Sequence, residues 1–380
     1  MIIHNHTGLL IEDKVEQLNL CLRKKFRGIA FELDAFECTR LVDGSVNFTT
    51  SGIYHLRGTI ETGSEHRQWS IVIKIIKRDS EEKDHNQHHN YWRREAFIFE
   101  SNLLDASLPE IIETPEPYLA EEQRDGTIWL WMEYVQGETP STQEHFNRIA
   151  YQLGEFNAPY LTGRSLPSEP WICNNWLRSW TASSQIYAPD PQSFINRLED
   201  REIRNSWEWF LGFTVDLNDK LESLSGLPRV LAHQDLSYKN MIINSTSNRL
   251  VLMDWQFLSI SGIGEDLGKM AGVNMSLGPI TIAEYDSFCR SIFRSYIQGM
   301  RESGWQGDEE LARYGYGLSM AMRSVWEVPQ LCSLAAQLEK DPLNDWMMHR
   351  VELLKQINAI HQVMAEESAK LRGKLDLLIG

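Results

Sequence analysis

Between His233 and Asp254, two carboxylates and one amide sit at fixed offsets around a short apolar hairpin, and few folds can present that arrangement. The stretch reads His233-Gln234-Asp235-Leu236-Ser237-Tyr238-Lys239-Asn240, then Met241-Ile242-Ile243. A turn at Ser245-Thr246-Ser247-Asn248 leads to the return strand Leu250-Val251-Leu252-Met253, which ends on Asp254. A hairpin of this kind returns the chain to where it began, so the spacing predicts that Asn240 and Asp254 meet at one end. An amide oxygen and a carboxylate oxygen are hard ligands suited to Mg2+. Asp235, in the loop ahead of them, is placed to take a proton from a hydroxyl. These are the parts that phosphoryl transfer from a nucleotide requires. Singly, each of these residues is an ordinary turn Asp or Asn; their joint spacing between apolar strands carries the reading.

The chain has 380 residues, 42% of them hydrophobic and 24% charged, which suits a globular protein with a sizeable core and room for two lobes. A formal charge of -16 argues against general nucleic-acid binding, which needs basic surface. Two meanings of that charge stay open: solubility, or an acidic cleft that gathers a cationic small molecule. No apolar run approaches the length of a membrane helix. The start, Met1-Ile2-Ile3-His4-Asn5-His6, lacks the basic and apolar segments of a secretory signal. Cys21, Cys38, Cys173, Cys289 and Cys332 are odd in number and widely spaced, as expected of reduced thiols in a cytoplasmic protein.

Apolar residues at Ile11, Val15, Leu18, Leu22 and Phe26 predict an amphipathic helix over 11–27 that Gly28 ends. From about residue 31 the pattern turns to strands, at 37–42, 52–60 and 69–76, then 118–121 and 127–134. A helix is expected from Tyr91 to Leu104. After Gly137 the helical period dominates, and the last helix is expected over 344–377. The implied organisation is an N-terminal helix (1–30), a β-rich lobe (31–135) with a five-stranded antiparallel sheet and one helix, and a mainly helical lobe (136–380).

HxDxxxxN, the apolar strand, Asp254-Trp255 and the downstream Gly264-Glu265-Asp266-Leu267-Gly268 together resemble the aminoglycoside phosphotransferase and choline kinase branch of the protein-kinase-like superfamily. The resemblance implies an α+β two-lobed fold and transfer of the ATP γ-phosphoryl group to a hydroxyl of a small molecule. It makes Asp235 the catalytic base and Asn240 and Asp254 the Mg2+ ligands, with Asp266 and His233 bracing the loop. An aminoglycoside or another natural product, in resistance or biosynthesis, is the first candidate acceptor, and a cationic one is open. A Ser/Thr kinase for a modified peptide and an inactive nucleotide-binding relative are the alternatives. GTP stays open beside ATP.

Such a fold needs a lysine on its third strand and a glutamate on the next helix. Lys74 interrupts the run Ile71-Val72-Ile73-Lys74-Ile75-Ile76, where a charge is costly unless paired or turned to solvent. Glu95 fits the family's R-E pattern, and Glu100 competes with it. The loop around Gly44, Ser45 and Asn47 resembles the looser phosphate loop of small-molecule kinases, although a plain hairpin would look the same. Main-chain groups at Glu133 and Val135 are the expected contacts for adenine. The chain departs from the family at Gln234, where glycine is usual, and at Ser237, where His or Lys is common.

Other signals read as ordinary structure. His85, His88 and His89 lie in a polar linker. The tryptophans of 171–209, with Trp305, Trp326 and Trp346, suit half-buried core as well as an acceptor pocket. Asp308, Glu309, Glu310, Glu327 and Asp345 are expected on solvated helix faces.

Overall fold

The period-two alternation between residues 32 and 76 folds into three long strands that carry the rest of the first unit. The structure, a computed structural model, describes residues 2–5, 7–41, 48–63, 65–110 and 112–379, with side chains to residue 373. It divides into one unit of Met1–Asn86, Asn90–Glu138 and Ile242–Gln256 and another of Gln87–His89, Thr139–Met241 and Phe257–Gly380. Among the described residues no helix is long and apolar enough to cross a membrane, and all five cysteines are free and buried.

The first unit runs β1 (Ile2–Asn5), α1 (Val15–Lys25), β2 (Glu32–Arg40), β3 (Thr50–Thr62) and β4 (Glu65–Ile76). It continues through α2 (Arg94–Glu100), α3 (Leu103–Ser107), β5 (Ile112–Glu113), β6 (Pro117–Glu122), β7 (Ile128–Glu133) and β8 (Gly137–Glu138). The main sheet has the order β1-β2-β3-β4-β7-β6. It therefore has six strands where five were expected, because β1 joins β2 in parallel, with Ile2 opposite Ala35. Four residues are too few to show a period, so the sequence concealed this strand. Along β4, Ile71, Ile73 and Ile75 pack with Leu18, Cys21 and Leu22 of α1 in one core cluster. Each fully buried aliphatic side chain there contributes about 2 kcal/mol. Strand alternation sends Val72 and Lys74 to the other face. The helix expected over Tyr91–Leu104 is broken. Ser101 Oγ bonds Ile98 O and accepts from Leu103 N, a local pairing that competes with the helical ladder and separates α2 from α3.

The second unit contains α4 (Gln143–Leu161), α5 (Trp176–Tyr187), α6 (Arg201–Thr214), α7 (Leu217–Ser225) and β9 (Arg229–Ala232). The chain then supplies β10 (Met241–Asn244) and β11 (Leu250–Leu252) to the sheet β5-β11-β10-β8. It goes on with β12 (Ser259–Gly262), α8 (Glu265–Leu277), α9 (Tyr285–Glu302), α10 (Glu309–Ala321), α11 (Ser324–Leu338) and α12 (Asp345–Ile379). Gly268 and Gly272, four residues apart, lie on one face of α8. A Cβ on Gly268 would lie 2.1 Å from Ser319 Oγ and 2.5 Å from Tyr316 O, so α10 rests directly on the α8 backbone.

Glu327 departs from its expected solvated position. It is 5% exposed, with Arg323 Nη2 at 2.6 Å and His361 Nε2 of α12 at 3.6 Å. The apolar neighbours Val325, Val328 and Leu331 bury this face of α11 and carry the carboxylate in with them. Burial pushes His361 down to about 4 from its ordinary 6.5; Glu327 opposes the shift and Arg323 adds to it. A folded-state pKa below the unfolded one gives stability that is present above pH 6.5 and lost as pH falls toward 4. At about 1.4 kcal/mol per pH unit, roughly 3 kcal/mol disappears over that window. In urea unfolding at pH 7.0 and 4.5, His361→Gln is expected to show a shallower acid loss than the parent. Equal slopes would mean that His361 is not held neutral.

Candidate functional site

In the second unit, β9 pairs antiparallel with β12, Ala232 opposite Ser259, and hands the chain to the loop at His233. Asp266, in the first turn of α8, accepts from His233 N and Gln234 N, each at 2.8 Å. Burial raises the Asp266 pKa, and His233 and the two backbone bonds oppose the rise. Gln234 has φ +63 and is 2% exposed. That left-handed backbone explains why glycine suits the position. Here a glutamine adopts it, held by Asp266 on its N–H and by Ser261 Oγ, 2.8 Å from its amide nitrogen.

Asp235 N donates to His233 Nδ1 at 3.1 Å, so that ring nitrogen is unprotonated. Asn240 Nδ2 donates to Asp235 O and to Asp235 Oδ2, both at 3.0 Å. Asp235 and Asn240 are thus brought together, five residues apart, by a loop that turns on itself. The sequence reading missed a second brace, Asn274 of α8, which is fully buried. Its Oδ1 accepts from Tyr238 N at 2.7 Å and its Nδ2 donates to Leu236 O at 2.8 Å. An amide two turns beyond Asp266, among apolar residues, was the available signal.

In the first unit, Lys74 and Glu95 are 5% and 3% exposed. Lys74 Nζ lies 2.6 Å from Glu95 Oε2 and 2.8 Å from Asp254 Oδ1. Glu100 is exposed and lies on α2 more than a turn from this contact. Burial alone would lower the Lys74 pKa; the Asp254 and Glu95 carboxylates reverse this and hold it above the ordinary lysine value. Glu95 is raised to about 7 by burial, with Asp254 adding to the rise and Lys74 opposing it. The lysine shift favours a charged pair and the glutamate shift a neutral one. The 2.6 Å contact, with one cation between two carboxylates, supports the charged lysine.

Asp254 has φ +58, a costly backbone for a residue other than glycine. The next turn holds it there. Arg94 Nη1 donates to Gln256 O at 2.6 Å, Thr49 Oγ1 to Gln256 Oε1 at 3.0 Å, and Gln256 Nε2 to Asn90 Oδ1 at 2.6 Å. Arg94 is fully buried. It ties the start of α2, which carries Glu95, to the segment that carries Asp254. Neither Arg94 nor Gln256 stood out in sequence, because their partners lie more than 150 residues away.

Glu133 ends β7, and its N–H donates to Glu116 O at 3.0 Å. His55 and Tyr134 stack with centroids 4.2 Å apart. They line, with Ser70, Glu133 and Gln136, a cavity of about 680 Å3. Val135 lies between Tyr134 and Gln136 in that segment. Gly44, Ser45 and Asn47 lie outside the described residues. The model of the phosphotransferase enzyme family matches residues 67–303, more than half of the chain.

The chain belongs to this family. Lys74, Glu95, Asp235, Asn240, Asp254 and Asp266 all fall within the matched span. Over 155 residues the chain is 26% identical to ethanolamine kinase 2 of Mus musculus, covering 38% of this chain and 37% of that protein, so it spans little more than a third of this relative's length. Among solved structures it is similar to an amicoumacin kinase in complex with AMP-PNP, Ca2+ and Ami (TM-score 0.56, 14% identity, 93% of this chain and 99% of that one). It is also similar to the choline kinase from Cryptosporidium parvum Iowa II (TM-score 0.51, 11% identity, 94% and 97%). The phosphotransferase therefore has the α+β protein-kinase-like fold that the resemblance implied.

Proposed function

We propose that this protein transfers the γ-phosphoryl group of ATP to a hydroxyl of a small molecule. The buried set Lys74, Glu95 and Asp254 carries the reading: a cation shared between two carboxylates across a sheet and a helix is costly to bury without a use for it. In this scheme Lys74, oriented by Glu95, holds the α- and β-phosphates, and the cavity beside Glu133, Tyr134 and Val135 receives adenine. The amicoumacin kinase of similar fold was solved with AMP-PNP, which accords with ATP. Gly44, Ser45 and Asn47 would cover the phosphates through their backbone N–H groups.

Asn240 commits its amide nitrogen to Asp235, which leaves Oδ1 as the donor for a cation. The Asp254 carboxylate is likewise a hard oxygen donor, and each of the two groups is of the kind that would hold Mg2+. When bound, the ion would neutralise charge on the β- and γ-phosphates. Asp235 orients the acceptor hydroxyl and takes its proton as the new O–P bond forms and the bond from the γ-phosphorus to the departing ADP oxygen breaks. His233, Asp266 and Asn274 keep the loop in shape. An aminoglycoside or other natural product is a candidate acceptor, and a cytoplasmic setting would supply the ATP.

The reading is tested with labelled ATP and a panel of hydroxyl acceptors, scored by the mass gain of one phosphate. Asp254→Ala is expected to abolish the rise in Tm that ATP with Mg2+ gives the parent, and an unchanged rise would remove Asp254 from the metal site.

A further inference from the structure

Ile98 and Phe99 follow Glu95 by three and four residues on α2, so one face of that helix carries all three. This face forms one side of a cavity of about 250 Å3 within the first unit. Its other apolar walls are Leu104 of α3, Pro115, Met132 of β7 and Trp255. Met132 pairs with Val72, two residues before Lys74 on β4, and Trp255 follows Asp254 in the chain. The cavity shares no lining residue with the one at His55 and Tyr134.

Size and walls define what it can hold. A cavity of about 150 Å3 lined by leucine, isoleucine and phenylalanine accepts benzene, so this larger one has room for two fused rings. Sites for drug-sized ligands begin at about 300 Å3, which leaves no room here for a whole nucleotide.

The charged side chains of its lining, among the described residues, are Lys24, Glu95, Asp105 and Asp254. Glu95 and Asp254 share Lys74, at 2.6 and 2.8 Å. The charge that remains on Asp254 is the one proposed for Mg2+. Lys24 Nζ donates to Tyr118 O. Asp105 is exposed, as is Asn102, and the two stand at the mouth. An ion entering between these walls would lose its hydration and find its counter-charges already engaged.

We propose that this cavity is a ligand site separate from the one proposed for adenine, and that it takes an uncharged aromatic molecule of one or two rings. Such a ligand packs α2 against β7 and the Asp254–Trp255 segment. It therefore selects the arrangement in which Glu95 holds Lys74, and a nucleotide that uses the same lysine gains by linkage. The site stands independently of the phosphotransferase reading, whereas its effect on nucleotide affinity rests on that reading.

Three probes test it at neutral pH: 2-naphthol, 2-naphthoate and 2-naphthylmethylammonium, which share one bicyclic ring and differ in the charge of one substituent. Titration calorimetry on the full chain gives their dissociation constants. 2-Naphthol is expected to bind about tenfold tighter than either ion. Leu104→Trp fills the cavity from its wall, and Asn102→Trp closes its exposed mouth; each should weaken 2-naphthol by about tenfold. The exposed substitution carries the test should the buried one fail to fold. Saturating 2-naphthol should tighten AMP-PNP with Mg2+ by about fivefold in the parent and leave it unchanged in the variants. No binding of 2-naphthol, equal binding of either ion, or full affinity in Asn102→Trp overturns the site. AMP-PNP that binds no tighter in the presence of 2-naphthol overturns the coupling. A chain that binds no AMP-PNP with or without the probe counts against the phosphotransferase reading alone, and the calorimetry of the parent and variants still decides the site.

Discussion

Asp235→Asn is expected to lower kcat for the acceptor that the panel identifies by about two to four orders of magnitude, the usual worth of a positioned general base. Affinity for ATP and thermal stability should stay close to those of the parent. The loop does not depend on the Asp235 charge for its shape. Asp266 holds it at His233 and Gln234, Asn274 holds it at Leu236 and Tyr238, and Asn240 also bonds the Asp235 carbonyl. An asparagine at 235 keeps the size and loses the ability to take a proton. The effect should therefore fall on kcat rather than on KM for ATP. Turnover undiminished in this variant would show that the proton leaves by another route and would remove Asp235 from the chemistry.

Lys74→Met should be the more disruptive change to the first unit. It leaves Glu95 and Asp254 close together with no cation between them, at a position where Glu95 is already raised to about 7 by burial. Removing one partner of a buried ionic set costs about 3–5 kcal/mol. The sign of the pH dependence follows from Glu95. An acid whose folded pKa exceeds its unfolded value adds stability at low pH and loses it as pH rises through the folded value. Without Lys74 the Glu95 value climbs further, so the variant should lose more stability at pH 8 than at pH 6. Adding Glu95→Gln to Lys74→Met should recover part of the loss at pH 8. Urea unfolding of parent, single and double variants at both pH values measures this. A loss equal at both pH values, with no recovery in the double variant, would mean that the carboxylates do not carry the cost. Nucleotide-induced stabilisation should disappear in Lys74→Met as well, since Lys74 is the proposed phosphate contact.

The parts legible in the sequence were those whose geometry is made by neighbours in the chain. Asp235 and Asn240 are five residues apart, and the loop alone brings them into contact. The strands around Lys74 announced themselves by alternation, and α1 by its spacing of apolar residues. Three readings needed more. The helix expected over Tyr91–Leu104 breaks at Ser101 because a serine hydroxyl outcompetes the ladder, a choice between two local bonds that propensity does not rank. The strand β1 is too short for any period. Glu327 looked like one more surface acid, and nothing local to α11 reveals that Arg323 and His361 meet it in the interior.

The sequence by itself thus determined the kit and its family: the loop from His233 to Asn240, the strand into Asp254, the lysine in an apolar strand and the acid that braces the loop. Short-range chemistry is written in short-range order. Only the tertiary structure decided that Lys74 faces away from α1, and that Glu95 and not Glu100 meets it. It also turned Arg94 and Gln256 into supports for Asp254. These are choices of face and partner between residues distant in the chain. The competition of apolar surfaces for burial settles them, and the polar groups are carried to wherever that packing leaves them.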